Sequence, residues 1–275
     1  MSHALFNTLF LIVLAVAGYV LTYRFYPRFS RLTKIVIVIA SSLVMCLWLL
    51  HHFAVFQMTD IIGLIRFLSR VRMEYTAFFV GVFSAVGQLW INHHRKKSQG
   101  PFTRHNGLVL SVFMMIPVYI YPIIYPVEVE LANNWEDGVC IQSSVASCGP
   151  CCAATILNYY GIRKSEKEVG PEVFLSKMGS DIWHLVRYIK DQGLNAKVIG
   201  VDEKPEDVPT PCIAMVEQEG AMGFYHCIVI FRKTDSMYEF GDPGAGRFTW
   251  PESAMLSQYR FLGYVIHVTE PDVTD

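Results

Sequence analysis

A glutamine stands six residues ahead of a cysteine in Gln142-Ser-Ser-Val-Ala-Ser-Cys148, and an apolar helical run, Gly149–Tyr160, follows the cysteine at once. A cysteine so placed lies at a helix N-terminus, where free N–H groups and the helix dipole favour the thiolate. The thiolate is the nucleophilic form, so Cys148 is a candidate for covalent attack on a carbonyl carbon. That chemistry needs a base, an orienting group and a donor for the developing oxyanion. His226 opens the apolar run His226–Phe231; its ordinary pKa near neutrality suits it to take the thiol proton and later protonate a leaving amine. Asp242 lies at the end of the next such run and can hold the imidazole tautomer. The side-chain amide of Gln142 can donate to an oxyanion beside the Cys148 backbone N–H. Each residue also has a plain reading: a packed strand histidine, an Asp-Pro-Gly turn, a solvated loop glutamine. Their joint occurrence, in this order around a cysteine that starts a helix, points to the site.

The elements that must position them are legible as a pattern. The helix after Cys148 stops at Gly161, a residue suited to the left-handed C-terminal position. Ser165-Glu-Lys-Glu168 matches a capping box ahead of a second, short helix. Ser180 precedes a third, Asp181–Gln192, with Ile182, Leu185, Val186 and Ile189 on one face and Gly193 past its end. Strands are predicted at Ala196–Val201, Cys212–Val216, His226–Phe231, Met237–Phe240 and Gly263–Val268. Gly241-Asp-Pro-Gly244 and Gly246 mark a turn-rich loop. Helices first and strands afterwards predict an α+β domain over 126–275, with helices packed on an antiparallel sheet.

The preceding part of the chain is physically different. Residues 1–125 hold 11 Lys/Arg and 2 Asp/Glu, a charge of +9, whereas residues 126–275 hold 12 and 22, a charge of −10. Four runs without Asp, Glu, Lys or Arg fill the first part: Leu5–Leu21, Ile35–Phe56, Thr76–Ile91 and Leu108–Tyr125. Together with 52% hydrophobic residues and a mean hydropathy of +0.33, they predict a four-helix transmembrane bundle over 1–125 with the lipid bilayer as a partner. The loops after the first and third runs carry Arg24, Arg28, Arg31, Lys34, Arg95, Lys96, Lys97 and Arg104, against Arg66, Arg70 and Arg72 on the other side. The excess puts those two loops inside and both the N-terminus and the C-terminal domain outside. Residues 61–70 read as an interfacial amphipathic helix. His51, His52, His93 and His94 are assigned no role.

Gln142, Cys148-Gly149, His226 and Asp242-Pro243 resemble the motifs of the bacteriocin-processing, double-glycine cysteine peptidases. The resemblance covers about residues 139–269. It implies a papain-like fold and removal of leader peptides from peptides or small proteins, after small residues such as Gly-Gly. It also implies Cys148 as nucleophile, His226 as acid/base, Asp242 as orienter and Gln142 as oxyanion donor. Two positions depart from the family's usual pattern: Ser147 stands where an acidic residue is common, and Cys151 where a small residue is usual. No G-x-x-x-x-G-K-[ST] phosphate loop occurs. The expected setting is a bacterial inner membrane with the peptidase domain outside and an exported or membrane-bound peptide or protein as substrate.

Other readings remain open from the residues alone. Cys148-Gly-Pro-Cys151 is also a dithiol motif of thioredoxin-like oxidoreductases. Against it, such a motif follows a βαβ pattern that this chain lacks, and Cys46 is the only cysteine of the membrane part. A zinc site built from Cys148, Cys151, Cys212, His226 and Cys227 has only one close pair at ligand-like spacing, so no metal and no cofactor are expected. A non-catalytic module that binds peptides is a third reading. A disulfide involving Cys140 fits an outward domain. The acidic C-terminal part carries no basic-aromatic patch, which excludes a nucleic-acid partner.

Overall fold

The computed structural model describes residues 3–54, 76–94, 106–109, 112, 123–218 and 225–271. The chain divides into two compact units, with a boundary between Ile123 and Ile124.

The N-terminal unit is helical: α1 (His3–Phe25), a 3-10 turn (Tyr26–Arg28), α2 (Arg31–Ala54) and α3 (Thr76–His94). Small residues let α1 and α3 touch backbone to backbone. A Cβ on Gly18 would stand 2.1 Å from the Phe78 carbonyl oxygen, and one on Gly81 would stand 1.9 Å from that of Ala15, so neither position admits a side chain. A polar link lies in the same unit: Gly107 N–H donates to Gln88 Oε1 at 2.9 Å, and Gln88 Nε2 donates to Asn92 Oδ1 at 2.9 Å. Among the described residues one helix, Phe6–Arg28 with mean hydropathy 1.9, is long and apolar enough to cross a membrane; Ala77–Asn92 is a shorter apolar helix. Length and composition therefore support one of the four expected spans. Most of the fourth run, the 61–70 stretch and seven of the eleven basic residues (Arg66, Arg70, Arg72, Arg95, Lys96, Lys97 and Arg104) fall outside the described residues.

The C-terminal unit is an α+β fold. A hairpin of β1 (Asn134–Glu136) and β2 (Val139–Ile141) turns at Asp137 and Gly138, with φ of 45° and 79°, the left-handed pair that a tight hairpin requires. Three helices follow: α4 (Cys148–Tyr159), α5 (Glu166–Glu172) and α6 (Ile182–Asp191). Gly161 (φ 79°) and Gly193 (φ 91°) stand just past the ends of α4 and α6. Ser165 caps α5 in a reciprocal box with Glu168. α6 buries Leu185, Val186 and Ile189 completely, each worth roughly 1.5–3 kcal/mol of burial.

β3 (Asn195–Gly200), β4 (Cys212–Gln218), β5 (Tyr225–Lys233), β6 (Met237–Asp242), β7 (Gly246–Pro251) and β8 (Tyr259–Thr269) form one antiparallel sheet in the order β3-β8-β4-β5-β6-β7. Its first face packs on α4 and α6 through Ile213, Met215, Cys227, Val229 and Phe231. Its second face buries Ala214, Ile228, Ile230, Tyr238 and Phe240 with Met255 of α7 (Glu252–Gln258). β7 and α7 lie in a stretch whose Gly, Arg and Pro carry no strand signal. There the aromatic packing decides the structure, since Phe248 and Trp250 hold their ring centroids 5.5 and 5.2 Å from that of Phe240.

Candidate active site

Cys148 is the first residue of α4. Ser147, just before it, does not cap the helix with its side chain. Its hydroxyl instead closes the preceding turn, donating to the Ser144 carbonyl at 2.8 Å and accepting from Ser144 N–H at 3.1 Å. The first-turn N–H groups are thus left uncapped by that residue, which favours negative charge on the thiol. Cys148 is buried and touches two consecutive residues of β5. A hydrogen bond from Cys227, opposed by burial and joined by the hydrogen bond and positive charge of His226, holds the thiol well below its ordinary range. The thiols of Cys151, Cys152, Cys212 and Cys227 all move the other way. Cys148 is therefore the thiol poised to ionise.

His226 Nε2 lies 2.8 Å from Asp242 Oδ1, which leaves Nδ1 as the ring nitrogen for the thiol. Burial opposes the imidazolium. The hydrogen bonds and negative charges of Asp242 and Cys148 outweigh it and push His226 up to about 10. Asp242 is almost completely buried. Besides His226, its carboxylate accepts the Gly244 N–H at 2.7 Å on Oδ1 and the Tyr259 hydroxyl at 2.6 Å on Oδ2. Burial alone would raise this carboxyl; His226, Tyr259 and Gly244 together keep it below its usual value. Buried charge tolerated through several donors is the expected arrangement for an ionised orienting group.

Gln142 follows β2, and its N–H donates to the Pro243 carbonyl at 2.9 Å. Its amide nitrogen lies 3.9 Å from where a Cβ on Gly244 would stand, so the structure sets it against the Asp242–Gly244 turn. Gly241 makes that approach possible, because a Cβ there would stand 2.6 Å from Val139 Cγ2 of β2. The structure thus brings Cys148, His226 and Asp242 into one chain of contacts, with Gln142 beside the Asp242 loop. Reading the sequence alone does not find Tyr259. Its strand begins at Tyr259, four residues before the apolar run Gly263–Val268 that marks it in the sequence.

The other cysteine arrangements separate. Cys212 packs on the second face of the sheet, Cys148, Cys151 and Cys227 on the first. Among the described residues no group of three or more His, Cys, Asp and Glu converges to hold a metal ion. Cys151 is fully buried and hydrogen-bonded to Cys140, and its thiol is raised by that bond and by burial. The sheet pairings are all antiparallel, so the dithiol motif does not follow a βαβ unit. Cys140 and Cys151 are both free thiols, so Cys140 takes no part in a disulfide here.

Residues 137–272 match the model of the Peptidase C39 family. A relative described as an uncharacterized protein of Methanothermobacter thermautotrophicus is 26% identical over 136 residues, which are 50% of this chain and 91% of the relative. Two solved structures are also similar. The peptidase domain of Streptococcus ComA, a bi-functional ABC transporter involved in a quorum-sensing pathway, is 20% identical, with a TM-score of 0.41, covering 48% of this chain and 98% of that one. A double glycine motif protease from an AMS/PCAT transporter, in complex with the leader peptide, is 22% identical, with a TM-score of 0.42, covering 48% and 91%.

Proposed function

We propose that this chain, a cysteine peptidase, is a membrane-anchored endopeptidase that matures peptides or small proteins by cleaving after small residues such as Gly-Gly. The observation that carries the mechanism is the placement of His226 between a buried thiol with lowered pKa and a buried carboxylate. Cys148 is the nucleophile, His226 the acid/base, Asp242 the orienter and Gln142 the oxyanion donor.

The thiolate of Cys148 attacks the scissile carbonyl carbon. A C–S bond forms, and the carbonyl π pair moves to oxygen, where the Gln142 amide and the Cys148 N–H donate to it. His226, held as imidazolium, gives its proton to the leaving nitrogen as the C–N bond breaks. Water then attacks the thioester while His226 takes its proton. The C–S bond breaks, the acid product departs and the thiolate–imidazolium pair returns. Asp242, with Tyr259 behind it, holds the ring and balances its charge throughout.

Exposed apolar side chains border these residues and suit an extended peptide. Val145 precedes the nucleophile by three residues, Tyr225 adjoins His226, and Met178 neighbours Gly179, where a Cβ would stand 3.8 Å from the Ala146 carbonyl oxygen. The preference for Gly-Gly rests on the family likeness.

Residues 1–125 form the anchor of four spans and 126–275 the peptidase domain, with that domain on the outer side of a bacterial inner membrane. Exposed apolar residues along α1 and α2, among them Phe6, Val13, Leu32 and Ile39, support a lipid partner. The test is a comparison of cells carrying the wild-type chain or Cys148→Ala, scored for new protein N-termini. The proposal expects a set of N-termini after Gly-Gly that vanishes in the variant while the protein still inserts. Unchanged processing would overturn it and favour a peptide-binding role.

A further inference from the structure

Glu166, the first residue of α5, is fully buried, although the capping box of that helix is completed by Ser165 and Glu168. Its carboxylate reaches instead to the segment between β2 and the nucleophile helix, and to the residues ahead of β1. Oε1 accepts the Ser143 N–H at 2.9 Å; Oε2 accepts the Ser143 hydroxyl at 2.5 Å and the Ala132 N–H at 3.1 Å. Burying a carboxylate is costly unless several donors meet it, so a site that spends one here holds Ser143 firmly.

The residue so held follows Gln142. On its other side Gln142 is tied through its own N–H to Pro243, next to Asp242. Its side-chain oxygen Oε1 is buried without a hydrogen-bond partner, so that oxygen does nothing to fix the amide. The aim of the amide is therefore set by the backbone at both ends: the Pro243 carbonyl before it and the Glu166 carboxylate after it.

We propose that Glu166 is a positioning residue for oxyanion stabilisation, acting through Ser143 to aim Gln142. It touches neither substrate nor thiol. The inference rests on the assignment of Gln142 as oxyanion donor. Glu166→Gln keeps the shape but turns one acceptor into a donor facing an N–H or hydroxyl, which releases Ser143.

The test uses the full-length protein in detergent with a fluorogenic peptide amide ending in Gly-Gly. Glu166→Gln lowers kcat by about 10–100-fold with KM changed less than about threefold, part of a full oxyanion-donor loss. Glu166→Asp restores part of the rate. In a double-mutant cycle, adding Glu166→Gln to Gln142→Ala costs little beyond Gln142→Ala alone. Alkylation of Cys148 by iodoacetamide, which develops no oxyanion, proceeds at the wild-type rate. Should Glu166→Gln fail to fold, Ser143→Ala removes only the hydroxyl contact and gives the same non-additive pattern with a smaller loss. Wild-type kcat in Glu166→Gln, a loss that adds in full to that of Gln142→Ala, or a parallel fall in alkylation rate overturns the proposal. Full activity in Gln142→Ala or in Cys148→Ala instead removes the reading beneath it.

Discussion

The two faces of the six-stranded sheet carry different parts of the site. The first face, under α4 and α6, is aliphatic and thiol-rich, with Cys148, Cys151, Cys152 and Cys227 among Val, Ile and Leu. The second face is aromatic and holds the polar chain: Asp242 shares its strand parity with Tyr238 and Phe240, His226 shares that of Ile228 and Ile230, and Tyr259 belongs to the second core. The proposed nucleophile thus comes from one layer and its proposed base and orienter from the other. They meet only at the strand ends, where β5 begins and β6 stops. A charged pair placed there keeps its partners buried without placing an ion inside either apolar core, where it would be expensive.

The division predicts that damage on the first face ends the reaction and damage on the second face slows it. Cys148→Ala should abolish cleavage of a Gly-Gly peptide with circular dichroism unchanged; residual turnover at wild-type rate would break the comparison at its first term. Asp242→Asn should lower kcat by up to ~10⁴-fold, because the imidazole loses its charge partner and its tautomer control, yet leave Cys148 able to react with an alkylating agent. Complete loss of both, in a folded protein, would mean that Asp242 does more than orient. Gln142→Ala should cost about 10²–10³-fold in kcat, measured under saturating substrate. Tyr259→Phe should remove one hydrogen bond to a buried carboxylate, about 1.5–3 kcal/mol of stability, with a smaller fall in kcat than Asp242→Asn. Denaturant unfolding reads the first quantity, and an unchanged midpoint would take Tyr259 out of the polar chain.

The same pair sets a pH dependence of stability. Asp242 has a lowered folded pKa, so its contribution is present above the ordinary carboxylate range and is lost as pH falls through the lowered value. His226 has a raised one, so its contribution is full below about 6.5 and is lost as pH rises through the raised value. Stability contributed by the pair should therefore be greatest between the two limits and should flatten in His226→Ala.

How much of this was readable from the chain differs between the layers. The α4–α6 layer announces itself locally. Gly161 and Gly193 end their helices, the Ser165–Glu168 box starts α5, and a 3.6-residue apolar stripe marks α6. The second layer depends on distant pairings. β7 looks like a loop until Phe248 and Trp250 find Phe240, and Tyr259 reaches Asp242 only because β8 starts earlier than its apolar run suggests. Residue types nominated Cys148, His226, Asp242 and Gln142, whereas the supporting partners Tyr259 and Glu166 have no local signal. Glu166 reads as an ordinary first-turn acid whose partners lie 23 and 34 residues away. In the N-terminal unit one helix among the described residues meets the length and composition of a span, and most of the fourth apolar run lies outside those residues.

The central claim is that His226 holds Cys148 as a thiolate. The most direct measurement is the rate of Cys148 alkylation by iodoacetamide against pH, in the wild-type chain and in His226→Ala. The account predicts a wild-type midpoint well below the ordinary thiol value of about 8.5 and an upward shift when the imidazole is removed. A wild-type midpoint at that ordinary value, unmoved by His226→Ala, would contradict it.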